Sequence, residues 1–116
     1  MWLTGNLSIW LYSQPADMRK SIDGLSIIVA EHLQKNPCGP EVFVFYNKAR
    51  DKIKILYYDK NGFCLWYKRL EQGSFGSLKL SGESYALSTE QLRWLLEGLR
   101  IEGMRGNSEL NFDSYY

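Results

Sequence analysis

The sequence predicts a single α+β domain whose mainly antiparallel sheet contains a central basic β-hairpin and carries two packed helices. Two observations support this fold class: short apolar strands fill the middle of the chain, and helical periodicity appears on either side of them. The chain has 116 residues, 45% hydrophobic and 23% charged, which suits a globular protein with one core. We expect the domain to span residues 1–99 and residues 100–116 to form a flexible tail, because apolar periodicity fades after Arg100.

The first predicted elements are a strand and a helix. Ser8 to Tyr12 is short, β-branched and aromatic, which is typical of a strand. Pro15 suits the first turn of a helix, and Asp17 would lie in that turn, where the helix dipole favours an anion. The segment 36–40, with two prolines, ends this helix. Its buried face is predicted from apolar residues three or four positions apart: Met18, Ile22, Leu25, Val29 and Leu33.

Three strands are predicted in the middle of the chain. Val42 to Tyr46 is apolar on both faces, which indicates a central strand. Lys52 to Tyr58 begins with strict alternation, Asp59 to Gly62 is a strong hairpin turn, and Phe63 to Leu70 is the returning strand. The segment Glu71 to Ser84, rich in Gly and Ser, is expected to be a loop in which residues 78–80 suit a short strand.

A second helix is predicted close to the end of the domain. Ser88 and Gln91 fit a capping box, with Ser88 as the N-cap and Gln91 at the third helical position. Leu87 and Leu92 suit the accompanying hydrophobic staple. The buried stripe is predicted to consist of Leu92, Leu95, Leu96 and Leu99.

Composition argues against several classes of function. Two cysteines and one histidine are too few for a disulfide framework or a tetrahedral zinc site, so we expect reduced thiols and no metal or other cofactor. No apolar run approaches the roughly 20 residues of a membrane span, and the N-terminus lacks the features of a signal peptide. We therefore expect a cytoplasmic protein without membrane contact. The sequence has no phosphate-binding loop, nucleophile elbow or paired metal-binding carboxylates, so we expect no enzyme activity.

Charge is concentrated in the predicted hairpin. Residues 48–69 carry seven bases and two acids, a net charge of +5, whereas the whole chain has a net charge of +1. A type I turn with Gly62 in the left-handed position would pair Asp59 with Phe63 and place Lys54 opposite Lys68. An Asn61-Gly62 turn would instead put Lys54 on the face of Phe63 and Leu65. We prefer the first register because it separates apolar from basic residues.

In the preferred register one face of the hairpin combines cations with aromatic rings. That face would carry Lys52, Lys54, Leu56, Tyr58, Cys64, Trp66 and Lys68. Ammonium groups neutralise phosphates, and aromatic rings stack on bases, so this face is a candidate nucleic-acid surface. The alternative is a solvated outer face whose aromatic residues are covered by a helix. Arg19 and Lys20, at the start of the first helix, are either phosphate ligands or solvated bases.

Three blocks of sequence resemble one family. They are Pro15 to Leu25, Val44 to Gly73 and Leu87 to Gly98. Together they resemble TnpB, the second-frame accessory protein of the IS sixty-six (IS66) family of bacterial insertion sequences. The positions that match the family pattern are Asp17, Met18, Arg19, Lys20, Gly24, Lys54, Gly62, Phe63, Trp66, Lys68 and Arg69. The sequence departs from the pattern at Ser8, where a basic residue is expected, and at residues 76–80, where a segment containing Trp-Pro is expected.

The resemblance implies a non-catalytic accessory role in DNA transposition, beside a separate and larger transposase. Its expected partners are the DNA at the ends of the element and the transposase or other proteins of the same element. The preferred hypothesis is DNA contact through the basic hairpin and the start of the first helix; the alternative is an adaptor that binds the transposase through Tyr58 and Trp66 without touching DNA. The candidate DNA-binding residues are Arg19, Lys20, Lys52, Lys54, Tyr58, Trp66, Lys68 and Arg69.

Overall fold

A five-stranded sheet carries one helix on each face in the computed structural model, which describes residues 7–76 and 84–98. The elements are β1 (Ile9–Tyr12), α1 (Ile22–Glu31), β2 (Val42–Tyr46), β3 (Lys52–Asp59), β4 (Gly62–Arg69), β5 (Ser84–Leu87) and α2 (Thr89–Leu96). Among the described residues the strand order is β4-β3-β2-β1-β5; β1 and β2 pair in parallel, and the other neighbouring strands pair antiparallel. The predicted α+β class is confirmed, and β2 is the middle strand, as its apolar composition indicates.

Each face of the sheet is buried against one helix. Successive residues of a strand point to opposite faces, so β2 sends Phe43 and Phe45 to one side and Val42 and Val44 to the other. On the α1 side, the core contains Leu25, Ile28, Val29, Phe43, Phe45 and Leu56. On the α2 side, it contains Ile9, Leu11, Val42, Val44, Ile53, Ile55, Leu92, Leu95 and Leu96. The sheet is therefore the middle layer of three.

Helix α2 begins with the predicted capping box. The Ser88 hydroxyl accepts a hydrogen bond from the Gln91 N–H at 3.0 Å, and the Gln91 side-chain oxygen accepts one from the Ser88 N–H at 2.9 Å. Leu87 and Leu92 are buried in the same cluster. Residues 78–80, Leu99 and the predicted tail at 100–116 lie outside the described residues.

Helix α1 begins later than predicted. Neither Pro15 nor Asp17 lies in its first turn, because the helix starts at Ile22. Two interactions hold the preceding segment in a turn instead: the Asp17 carboxylate accepts the Arg19 backbone N–H at 2.9 Å, and the Ala16 N–H donates to the Tyr46 carbonyl at 2.8 Å. A short polar side chain that binds its own backbone competes with helix formation in this way.

Strand β5 was not predicted from the sequence. Residues 71–84 were expected to form a loop, yet Ser84–Leu87 pairs antiparallel with β1, with Trp10 opposite Ala86. A four-residue strand gives a weak periodic signal, and this one follows a stretch rich in Gly and Ser. Its pairing with β1 is a long-range contact that local pattern does not reveal.

The predicted register of the hairpin is wrong. The structure pairs Asp59 with Gly62, so Lys54 lies opposite Tyr67 and Lys68 lies opposite Ile53. The turn consists of two residues, and Lys60, not Gly62, adopts the left-handed conformation, with φ of 54°. Separation of apolar from basic residues did not decide the register, because each face of the hairpin packs apolar side chains against a core cluster: Phe63 and Leu65 on the α1 side, Tyr57 and Trp66 on the α2 side. Lys54 therefore shares a face with Phe63 and Leu65, so basic and apolar residues are mixed on the α1 side of the hairpin.

Candidate nucleic-acid interface

The candidate site is a basic surface groove on the α1 side of the sheet, at the open end of the hairpin. It has a volume of about 560 Å³ and lies between the turn that precedes α1 and the loop that joins β2 to β3. We call it the basic groove, and its lining residues are Ala16, Asp17, Met18, Arg19, Asn47, Lys48, Ala49, Lys52 and Tyr67. Three cations and one carboxylate are among them, so the lining carries an excess of positive charge.

Lys54 holds one wall of the basic groove in place. Its ammonium donates hydrogen bonds to the carbonyl oxygens of Met18 and Lys20, each at 2.8 Å. Charged donors form stronger hydrogen bonds than neutral ones, and these two join β3 to the turn before α1. Lys54 is therefore a structural residue whose charge is already engaged by the protein.

Arg19 projects from that turn and is highly exposed. Its guanidinium forms a bidentate interaction with Asp17, with nitrogen–oxygen distances of 2.7 and 3.0 Å, and 91% of its side chain is accessible. The hydrogen bonds from Arg19 lower the pKa of the Asp17 carboxyl far below its usual range. The same pair raises the pKa of Arg19. The pair fixes the direction of Arg19 and leaves most of the guanidinium in solvent.

The loop from Asn47 to Asp51 forms the opposite wall. The Asn47 side-chain oxygen accepts the backbone N–H groups of Asp51 and Lys52 at 3.0 Å each, and its amide donates to the Asp51 carboxylate at 2.7 Å. This amide hydrogen bond, with the nearby Lys52 ammonium at 3.4 Å, lowers the pKa of Asp51. Lys48, in the middle of the loop, is exposed. The loop is thus held at its base by three hydrogen bonds of Asn47 and exposes Lys48 to solvent.

Lys52 and Arg69 place like charges opposite each other at the open end of the hairpin. They are directly paired across β3 and β4 and lie on the α1 side. Each has an acidic neighbour: Lys52 lies 3.4 Å from Asp51, and Arg69 lies 3.1 Å from Glu71. Opposed like charges destabilise a sheet, and here neighbouring carboxylates offset that repulsion.

Tyr67 is the aromatic residue of the basic groove. It lies opposite Lys54 on β4, and the Lys54 ammonium lies over the ring at 5.4 Å from its centroid. The side chain is 49% exposed, and Tyr67 and Ile27 are the two large hydrophobic residues exposed to this degree in the described part of the chain. The ring is therefore supported by a fixed cation and open to the groove.

The remaining predicted site residues lie elsewhere. Trp66 and Lys68 point to the α2 side, where Trp66 packs against the core cluster. Tyr58 is on the α1 side but near the turn of the hairpin, edge-on to Phe63 with 5.1 Å between ring centroids. The Lys20 stem lies across Gly24, where an added Cβ would be 3.1 Å from the Lys20 Cβ and Cγ. The single row of Lys52, Lys54 and Lys68 expected from the sequence does not exist.

Comparison with known proteins gives the chain its family. Residues 7–106 match the profile of a family described as IS66 Orf2 like protein. The chain belongs to the IS66 Orf2-like family. It is accordingly a transposition-associated accessory protein of an insertion sequence. The resemblance seen in the sequence is confirmed, and no solved structure matches the chain.

Two relatives of this IS66 Orf2-like protein come from Sinorhizobium fredii (strain NBRC 101917 / NGR234). Uncharacterized protein y4hO is 34% identical over 94 residues, which cover 81% of this chain and 82% of the relative. Uncharacterized protein y4jC is 34% identical over 95 residues, which cover 76% of this chain and 81% of the relative.

Within residues 7–76 and 84–98, no group of three His, Cys, Asp or Glu side chains is placed to hold a metal ion. Over the same ranges, no helix is long and apolar enough to span a bilayer. Cys38 is exposed, Cys64 is half-buried, and both are free thiols.

Of the residues that line the basic groove in this IS66 Orf2-like chain, the sequence predicts Arg19 and Lys52 as site residues but not the third cation, Lys48, or the aromatic ring, Tyr67. Lys48 contributes to the net charge of residues 48–69, but it lies in the loop before β3 and therefore on neither face of the hairpin. The predicted register places Tyr67, which alternates with Trp66 and Lys68, on the face opposite Lys54, whereas the structure pairs the two residues. The alternative Asn61-Gly62 turn, which puts Lys54 on the face of Phe63 and Leu65, also puts Tyr67 on that face.

Proposed function

We propose that this chain is a non-catalytic accessory protein of insertion-sequence transposition that acts in the cytoplasm and contacts DNA through the basic groove. The observation that supports this is the concentration of Arg19, Lys48 and Lys52 around an exposed aromatic ring. The protein as a whole has a net charge of only +1. A local cluster of cations on a nearly neutral protein suits a polyanion, since cations that neutralise phosphates release condensed counterions.

The test is the salt dependence of binding to the terminal DNA of the element. Each of Lys48→Ala and Lys52→Ala should weaken binding equally for all sequences and lower the magnitude of the salt slope by about 1. Lys68→Ala is the matched control, because it removes the same charge from the other face of the same hairpin. If Lys68→Ala weakens binding as much as Lys48→Ala does, or if none of the three changes it, the basic groove is not the DNA site.

The non-catalytic part of the proposal has its own test. The purified protein should neither nick nor join the terminal DNA, with or without magnesium. Cleavage that co-purifies with the protein and is lost when one of its own carboxylates is replaced would contradict the proposal.

A second candidate function is an adaptor for the transposase, and the outer edge of β4 favours it. In the described part of the chain, β4 is an edge strand of eight residues that pairs only with β3. It contains no proline, and its charges are confined to its last two residues. Such an edge can accept a strand from a partner. Tyr58 and Trp66 point to opposite faces, so they do not form one pair of anchors.

The salt dependence of binding distinguishes DNA contact from the adaptor function. DNA binding through the groove should weaken steeply as salt rises, whereas pairing of backbones at the β4 edge should change little. Leu65→Pro, in the middle of β4, would prevent pairing of a partner strand but would also disturb the fold. Separate pull-downs of the unaltered protein with the transposase and with the terminal DNA avoid this problem. If the protein retains the transposase but not the DNA, and salt does not change this, the adaptor becomes the preferred function.

A further inference from the structure

We infer that the basic groove binds nucleic acid whose bases are unpaired, with one base stacked on the ring of Tyr67. The inference rests on the proposed contact with DNA and specifies the form of DNA that the groove accepts. It starts from the ring itself, which is 49% exposed in a groove whose other lining residues include three cations, Arg19, Lys48 and Lys52, and one carboxylate, Asp17, which pairs with Arg19. A tyrosine ring at such a position offers a flat apolar surface beside groups that attract phosphate.

The ring is held ready for stacking. The Lys54 ammonium lies over it at 5.4 Å, within the range of a cation–π interaction. That ammonium is itself fixed by the carbonyls of Met18 and Lys20 at 2.8 Å. One side of the ring thus faces a fixed charge of the protein, and its exposed half contributes to the wall of the groove.

The shape of the site favours an unpaired strand. In a duplex the bases are stacked on each other and show only their edges in the two grooves, so a ring face has no base face to meet. Proteins that read duplex grooves insert a convex element such as a helix or a β-ribbon. The candidate site is wide and open, and its lining residues come from two loops and from strands β3 and β4, because α1 begins only at Ile22, beyond the turn that forms the wall. A cationic groove with an aromatic platform is the arrangement that binds single strands.

The cations complete the site. Arg19 and Lys48 belong to the two walls, and Lys52 lies on β3, two positions from Lys54 and therefore on the same face as Tyr67. A strand with one base on Tyr67 would have phosphates on both sides of that base within a groove that carries these charges. Stacking is tolerant of sequence, because every base has a π-face.

The experiment compares one labelled single strand of about 12 nucleotides, a length within the usual range of such sites, with its own duplex, by fluorescence anisotropy. The single strand should bind about tenfold more tightly or better. Tyr67→Ala and Tyr67→Leu should weaken single-strand binding about five-fold to one-hundred-fold, the usual effect of losing a stacked ring, and leave duplex binding unchanged. Tyr67→Phe should keep most of the affinity because it keeps the ring.

Two controls make the outcomes distinct. Ile27→Ala removes the other half-exposed large apolar side chain, 53% exposed on α1 and outside the basic groove, and should change neither affinity. One result would overturn the stacking inference and leave the proposed function intact. In it, the single strand and the duplex bind with equal affinity, Tyr67→Leu binds DNA as tightly as the parent, and Lys48→Ala binds DNA more weakly. Loss of transposase binding in Tyr67→Leu with unchanged DNA binding would also overturn it, and would assign the ring to a protein contact.

Discussion

Replacing Lys54 with methionine should destabilise the fold by about 2 kcal/mol. Methionine keeps the apolar stem of the side chain and removes the ammonium that donates to the Met18 and Lys20 carbonyls at 2.8 Å. A hydrogen bond to a charged group contributes about 1.5–3 kcal/mol. The hydrogen bond to the Met18 carbonyl is partly buried, so its whole contribution to the free energy of unfolding is lost. The hydrogen bond to the Lys20 carbonyl is exposed, so water can replace it. The sum is therefore close to the contribution of one such bond.

Urea unfolding followed by circular dichroism measures this change. With a denaturant slope of about 1–3 kcal/mol per M for a small domain, the midpoint should fall by about 1 M. Lys52→Met is the matched control on the same strand and face. Its ammonium makes an ion pair of 3.4 Å with about a third of each side chain exposed, and exposed pairs of this kind contribute little.

The stability of Lys54→Met also distinguishes the predicted register of the hairpin, with Lys54 opposite Lys68, from the observed one. If Lys54 lay opposite Lys68 on a solvated face, its replacement would relieve repulsion and raise stability by up to about 1 kcal/mol. In the observed register Lys54 lies opposite Tyr67 and bonds to the turn. A Lys54→Met variant as stable as the parent, or more stable, would therefore refute both the structural role of Lys54 and the pairing on which the basic groove depends.

Four further predictions concern the groove, the fold and its dependence on conditions. Asp17→Asn should strengthen DNA binding at low salt and raise the magnitude of the salt slope by up to about 1, because it leaves Arg19 unpaired; anisotropy titrations at several salt concentrations measure this. Ser88→Ala should lower the free energy of unfolding by about 1 kcal/mol through loss of the cap, whereas exposed Ser74→Ala should not. The pKa values of Asp17 and Asp51 are lowered in the folded state. Their stabilising effect is therefore present above the unfolded value of about 3.9 and is lost as the pH falls below it. Urea midpoints measured between neutral pH and pH ~3 should show this loss of stability, and Asp51→Asn should reduce the loss. Chelator and reductant should each leave the melting temperature unchanged.

Local rules were enough to predict several elements of this fold. The bounds of β2 follow from an apolar run with polar residues on both sides, and its central position follows from the burial of both its faces. The start of α2 follows from the Ser88 and Gln91 pair, because a capping box satisfies backbone groups within four residues of each other. These features depend on contacts that are short in sequence, so the sequence displays them directly.

The errors arose where distant contacts decide the structure. Asp17 and Pro15 are typical of the start of a helix, but the Ala16 N–H donates to the Tyr46 carbonyl and so holds that segment against β2. The hairpin turn shows the same effect, since two-residue turns usually place glycine or asparagine in the left-handed region and here Lys60 occupies it. Packing of both hairpin faces outweighs the local preference of Gly62, and neither helix could be assigned to a face from the sequence.

One consequence of the register concerns which cations can meet a ligand. The sequence attributes the same role to Lys52, Lys54 and Lys68, because all three are lysines at alternating positions of one basic hairpin. The structure gives them three different environments: Lys54 is bonded to backbone carbonyls, Lys68 faces the α2 side, and Lys52 lines the groove. Net charge in a segment therefore overstates the charge available at one surface. The basic groove gains its remaining cations, Arg19 and Lys48, from two loops that the fold brings to the hairpin. A DNA site here depends on that assembly, and so a variant that loosens the turn, such as Lys54→Met, should weaken DNA binding even though Lys54 is not among the residues that line the groove.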